Sequence, residues 1–231
     1  MGGPVRTTNM TVVRVEKEIA GRTLSLETGR VANQSHGAVW VQYGETVVLA
    51  TVLAAPPTRE IDFFPLYVDY REGQYAAGKI PGGFFKSEGR PSTKEILTCR
   101  LIDRPIRPLF PDDYMNEVQI QCMVLSTDQE NDPDLLALIG SSAALTLSPA
   151  PFEGPIGATR IGLIDGQLVV NPTHTQLAES RMELLGAGHK DALNMIEMGG
   201  QEVDEKTAAE ALALAHQVNQ EIIELIQELA S

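Results

Sequence analysis

Two β-branched runs, residues 38–43 and 46–53, flank Gly44-Glu45. A two-residue linker with glycine first predicts a type II′ hairpin. Residues 64–71 alternate and predict a third strand, after a loop marked by Pro56-Pro57. Ser92 and Glu95 have the spacing of a capping box, so a helix starts there. It is expected to end near Asp103, because Arg104 precedes Pro105 and is steered away from the helical region. Residues 117–127 alternate as a strand. Asp132-Pro133 then reads as N-cap and first residue of an apolar helix reaching about Ser148. A hairpin follows, residues 161–164 and 168–170, turning at Asp165-Gly166. Two more strands, 181–185 and 193–197, are expected to be joined by residues 186–191. A helix over 204–229 closes the chain, with Leu212, Ala215, Val218 or Asn219, Ile222, Ile223 and Ile226 at helical spacing. The layout predicts an α/β (α+β) sandwich of mixed sheets with packed helices. It reads as a single unit in four parts: strand-rich 1–75, a basic loop and helix 76–111, a βα and hairpin layer 112–200, and the helix 203–229.

Composition changes this picture at one place. The 231 residues carry a net charge of −13 with ordinary hydrophobic content. Yet Lys79, Lys86, Arg90, Lys94, Arg100, Arg104 and Arg107 crowd into 29 residues against Glu88, Glu95 and Asp103. A local excess of four positive charges on an anionic protein points to a polyanion partner at one patch, not over the whole surface. Phe84-Phe85 in the same run adds a stacking platform for bases. Arginine supplies bidentate phosphate contacts, and the interleaved prolines fix the chain direction. A secretory pattern and a membrane-span-length apolar run are both missing from the sequence, so a cytoplasmic location is expected.

Other chemistry finds little support. His36, His174, His189 and His216 have no metal-ligand spacing. Cys99 and Cys122 sit among apolar residues and read as buried thiols. Lys79 follows a glycine, but Ile80 breaks the phosphate-loop pattern. Gly140-Ser141-Ser142 invites a phosphate-cradle reading, but it falls inside a predicted helix, where small residues allow close packing.

The motifs F-F-x-x-E-G-R-P-S at residues 84–92 and R-L-I-D-R-P-I-R-P-L-F-P at 100–111 resemble the polynucleotide phosphorylase (polyribonucleotide nucleotidyltransferase) family. The likeness lies in that family's first RNase PH-like core domain. L-E-T-G at 26–29, D-F-F-P-L at 62–66, Y-A-A-G-K-I-P-G at 75–82, P-F-E-G-P-I-G-A at 151–158 and N-P-T at 171–173 are similar too. The resemblance implies the RNase PH fold, like the second domain of ribosomal protein S5. It implies 3′-to-5′ phosphorolysis of RNA to nucleoside diphosphates, and the reverse polymerisation. It also implies two RNase PH-like copies per chain, then KH and S1 domains, in a homotrimeric ring with a pore. This chain matches the first copy alone and ends at Ser231, so it is expected to be part of a longer protein.

By resemblance, Phe84 and Phe85 match the pore constriction that grips single-stranded RNA. Lys86 and Ser87 stand where the family usually has two arginines. Arg90 matches a pore-side arginine, and Arg100, Arg104 and Arg107 match arginines directed toward RNA. The catalytic groups do not carry over. Where the catalytic copy has a phosphate-binding Gly-Ser-Ser, this chain has Asn131, Asp132, Pro133 and Asp134; two carboxylates there repel phosphate. Leu185 stands where a catalytic lysine is expected, beside Glu183. This copy is therefore expected to lack catalytic and metal-binding residues, with Mg²⁺ belonging to the second copy. The expected partners are single-stranded RNA, inorganic phosphate in the parent enzyme, two further copies, and proteins of an RNA-degradation complex. A free-standing RNA-binding scaffold and a complete small RNase PH-type nuclease remain the alternatives.

Overall fold

A computed structural model describes residues 11–57, 62–82 and 89–231. Phe84, Phe85 and Lys86 lie outside these described residues. The first sheet contains β1 (Val13–Ile19), β2 (Arg22–Thr28), β3 (Gly37–Tyr43), β4 (Thr46–Ala55), β5 (Leu66–Glu72) and β6 (Glu117–Ser126). Its order is β1-β2-β3-β4-β6-β5. Neighbours are antiparallel except β5 and β6, which run parallel because helix α1 (Thr93–Ile106) crosses over between them. After α2 (Pro133–Leu147) comes a second, antiparallel sheet. It holds β7 (Gly157–Ile164), β8 (Gln167–Val170), β9 (Met182–His189) and β10 (Ala192–Gly200) in the order β10-β9-β7-β8. A short α3 (His174–Ala178) lies between β8 and β9, and α4 (Glu205–Ala230) closes the chain. Helix α2 packs on β3 and β4 and also touches β7 and α4, so it forms the middle of the core.

The local chemistry explains most boundaries. Gly44 has φ 61° and Tyr43 pairs with Thr46, as the two-residue hairpin requires. Asp165 and Gly166 both have positive φ, 50° and 76°, the type I′ geometry that joins β7 to β8. At α1, Ser92 Oγ accepts from the Glu95 N–H at 3.2 Å, and Glu95 Oε2 accepts from the Ser92 N–H at 2.6 Å. Glu95 Oε1 also accepts from the Glu72 N–H, tying the helix start to the end of β5.

Some expectations needed correction. Helix α1 does not stop near Asp103. It runs through Pro105 to Ile106, because a proline in the last turn forfeits one bond while buried Ile102 and Ile106 hold the turn to the core. The β9–β10 connection is also shorter than expected, since Gly186, Ala187, Gly188 and His189 are strand residues. The β1–β2 hairpin and α3 lie beyond the individual elements that the sequence pattern predicts. Cys99 is only half-buried, whereas Cys122 is buried and its thiol is pushed up to about 12 by that burial.

Gly140-Ser141-Ser142 does pack rather than bind. A Cβ on Gly140 would stand 2.8 Å from Val41 Cγ2 and 2.9 Å from Ala50 Cβ, so glycine lets α2 lie close on the sheet. Ser141 Oγ donates to the Ala137 carbonyl, and Ser142 Oγ accepts from the Ile156 N–H. Both hydroxyls are fully buried.

Candidate nucleic-acid interface

Helix α1 forms one wall of a cleft of about 720 Å³ whose other wall is β9 and β10. Lys94, Arg100 and Arg104 come from the helix; Glu183, Leu185, Glu197 and Met198 come from the strands. Asp134 and Arg160 form the floor. On the other flank of α1, a second groove of about 510 Å³ is lined by Arg100, Asp103, Arg104 and Arg107 with Val68, Cys99 and Pro108. Arg100 and Arg104 on the helix, and Arg107 just past its end, therefore form one exposed ridge between two hollows.

The floor is a closed ion cluster. Arg160 is 5% exposed, the one cation in the otherwise apolar or small sequence of β7. Its Nη1 donates to Asp132 Oδ2 at 3.0 Å and its Nη2 to Asp134 Oδ2 at 2.7 Å. Glu183 Oε1 lies 3.0 Å from Nε, but without hydrogen-bond alignment. Lys94 Nζ bridges Asp132 at 3.3 Å and Glu72 at 2.9 Å, and Glu72 accepts from the buried Tyr70 hydroxyl. Five elements thus meet through charge: β5, α1, the start of α2, β7 and β9.

The titration directions follow. Burial works to lower Arg160, but Asp134, Asp132 and Glu183 outweigh it and raise its pKa. The two aspartates move apart. Burial would raise Asp132, yet Arg160 and Lys94 hold it below the usual range. Asp134 is buried and has Arg160 as its cation; burial and the neighbouring Asp132 push it up.

The rim differs. Arg104 Nη1 donates to Glu197 Oε1 at 2.7 Å, with both side chains about half exposed. Arg107 is anchored: its Nε and Nη2 donate to Asp103, its Nη1 donates to the Phe64 carbonyl and its Nη2 also to that of Leu66. Its guanidinium also lies over the Phe64 ring. Arg100 is exposed and has neither hydrogen bond nor ion pair among the described residues. Arg90 is exposed too, but lines a separate groove with Arg71, Tyr75 and Gln121. The structure therefore gathers Arg100, Arg104 and Arg107, and sets Arg90 apart.

Sequence reasoning missed Arg160 and Glu197. A lone arginine in an apolar strand was the available signal, since such a charge needs buried partners. Glu197 carried none, because its partner lies 93 residues away.

The fold and this cleft define a class: an RNase PH-type domain. Residues 20–151 match the model for the 3′ exoribonuclease family, domain 1, and residues 154–218 match the model for its domain 2. The chain belongs to the 3′ exoribonuclease family. It is 59% identical over 213 residues to the polyribonucleotide nucleotidyltransferase of Thermomicrobium roseum, covering 92% of this chain and 27% of that protein. The enzyme of the same name from Gluconobacter oxydans is 56% identical over 94% of this chain and 30% of its own length. The chain thus spans less than a third of these curated relatives. In structure it is similar to rice (Oryza sativa) Rrp46, with a TM-score of 0.72 at 13% identity over 99% of both chains, a likeness in fold alone. Among the described residues no helix is long and apolar enough to cross a membrane.

Proposed function

We propose that this chain is the first core domain of a cytoplasmic 3′-to-5′ phosphorolytic exoribonuclease, a polyribonucleotide nucleotidyltransferase. In this reading it guides single-stranded RNA and helps build a trimeric ring, while a second copy does the chemistry. Arg100 and Arg104, with Phe84, Phe85, Lys86, Arg90 and Arg107, contact the RNA. One observation carries the non-catalytic part. The buried guanidinium of the cleft floor is already held by Asp132, Asp134 and Glu183, so an incoming phosphate meets carboxylates. Inserting a phosphate there would desolvate and uncouple a buried cluster, at a cost of several kcal/mol.

The same cluster does not fit Mg²⁺. Its three carboxylates converge on a guanidinium, and a divalent cation would have to share their oxygens with that charge. Mg²⁺ is accordingly assigned to the second copy.

The test uses labelled single-stranded RNA and the purified 231-residue chain. RNA should bind with a steep salt dependence, and no nucleoside diphosphate should appear when phosphate is added. Phosphate-dependent release would overturn the non-catalytic reading. An Arg104→Ala/Lys86→Ala pair should weaken binding and flatten its salt dependence; unchanged binding would overturn the site assignment.

A further inference from the structure

Arg104 and Glu197 meet across the mouth of the cleft, from α1 to the edge strand β10. Their meeting is prepared by the backbone. The β9–β10 register shifts between Leu193 and Met195, leaving Asn194 as the extra residue. Its Nδ2 donates to the Pro105 carbonyl at 2.9 Å. A bulge of this kind re-aims a side chain, and here it pins β10 to the last turn of α1. Glu197, three residues on, is then held opposite Arg104. With side chains 52% and 47% exposed, the pair can open without moving either charge out of a dry interior.

The other cations of this cleft are in different states. Lys94 and Arg160 are committed to the cluster in the floor. Arg100, one turn before Arg104, has no partner among the described residues. Glu197 is thus the carboxylate that decides how much of the arginine ridge facing this cleft is available to an anion.

We propose that Glu197 is an intramolecular competitor for the RNA phosphate at Arg104, setting the affinity of the cleft without itself touching RNA. This rests on the RNA-guiding reading above. A phosphodiester that takes Arg104 Nη1 must displace the Glu197 carboxylate, to which that nitrogen already donates. An exposed pair of this kind is worth about 1.5- to 5-fold in an equilibrium.

Binding of a fluorescein-labelled single-stranded oligoadenylate to the 231-residue chain tests this. Glu197→Gln should tighten binding about two- to fivefold at low salt and lower the folding equilibrium in urea by no more than about the same factor. Adding Arg104→Ala to it should abolish the gain, so that E197Q/R104A binds like R104A. Arg100→Ala, which leaves the Arg104–Glu197 pair intact, serves as the control on the RNA reading. If Arg100→Ala weakens binding but Glu197→Gln leaves it unchanged, the competitor is refuted and the RNA site stands. A gain from Glu197→Gln that persists without Arg104 also refutes it. If neither Arg100→Ala nor Arg104→Ala alters binding, the RNA reading fails and takes this inference with it.

Discussion

The floor and the rim of one cleft contain the same chemistry, arginine against carboxylate, in opposite states. In the floor, the buried Arg160 is held between Asp132 and Asp134, with Glu183 and Lys94 at the edge of the same cluster. At the rim, Arg104 and Glu197 stand half in water, and Arg100 has no partner among the described residues. Burial decides what each can do. A buried pair cannot exchange partners, because either charge left alone in the interior is costly. An exposed pair exchanges at a cost near 1 kcal/mol or less. The floor therefore holds elements together, and the rim is where a polyanion can be received.

Breaking the floor should give the largest effect. Arg160→Met leaves Asp132 and Asp134 facing each other in the interior and should destabilise the chain by about 3–5 kcal/mol. Urea unfolding measures it. Adding Asp134→Asn should recover part of the loss, since it removes the most deeply buried of the orphaned charges. Molecules that remain folded should bind RNA as before. A loss of RNA affinity as large as that for the rim variants would mean that floor and rim are not separate devices.

Arg107 tests the border between the two. It is grouped with the RNA arginines by resemblance, yet it donates to two backbone carbonyls and to Asp103. Arg107→Ala should cost about 1–2 kcal/mol of stability through those lost bonds. Arg100→Ala, with no such bonds, should change stability by less than about 0.5 kcal/mol. It should instead weaken RNA binding and lower the salt slope by about 0.7. Equal stability losses in the two variants would erase the distinction between anchor and contact.

The sequence announced the elements better than the site. The capping box at Ser92 and Glu95, the Asp132-Pro133 start of α2 and the turns at Gly44 and Asp165-Gly166 are local devices, and each was legible. The end of α1 was not. The rule that a residue before proline avoids the helix is local, and the packing of Ile102 and Ile106 overrode it. The arginine ridge could be read because Arg100, Arg104 and Arg107 are close in sequence. What restrains them could not. Glu197, Phe64 and the Asp132–Arg160 pairing come from other elements, and only the packed chain brings them near. Asp132 and Asp134 were legible as two carboxylates at the start of α2, but the cation that lets them be buried was invisible without the fold.

The smallest effect concerns a carboxylate stabilised by hydrogen bonds rather than by a cation. Asp128 stands in the turn before α2. It accepts from the backbone N–H groups of Glu130 and Asn131, from Asn131 Nδ2 and from Thr46 Oγ1. Partial burial works to raise its pKa, but these donors outweigh it and hold the carboxyl at about 2. Its unfolded value is near 3.8. The folded state therefore binds the proton less readily, and the stabilisation is complete above about pH 5 and lost as pH falls toward 2. Because the group is only partly buried, its worth is about 1 kcal/mol or less. Asp128→Asn should thus be slightly less stable than the parent at pH 7, with the gap closing as pH is lowered from 5 to 2.5. The comparison cancels Asp134, which is common to both chains and titrates in the opposite sense because burial raises it. Urea midpoints taken across that range measure the gap; one that stays constant with pH would show that the turn depends on the shape of Asp128 and not on its charge.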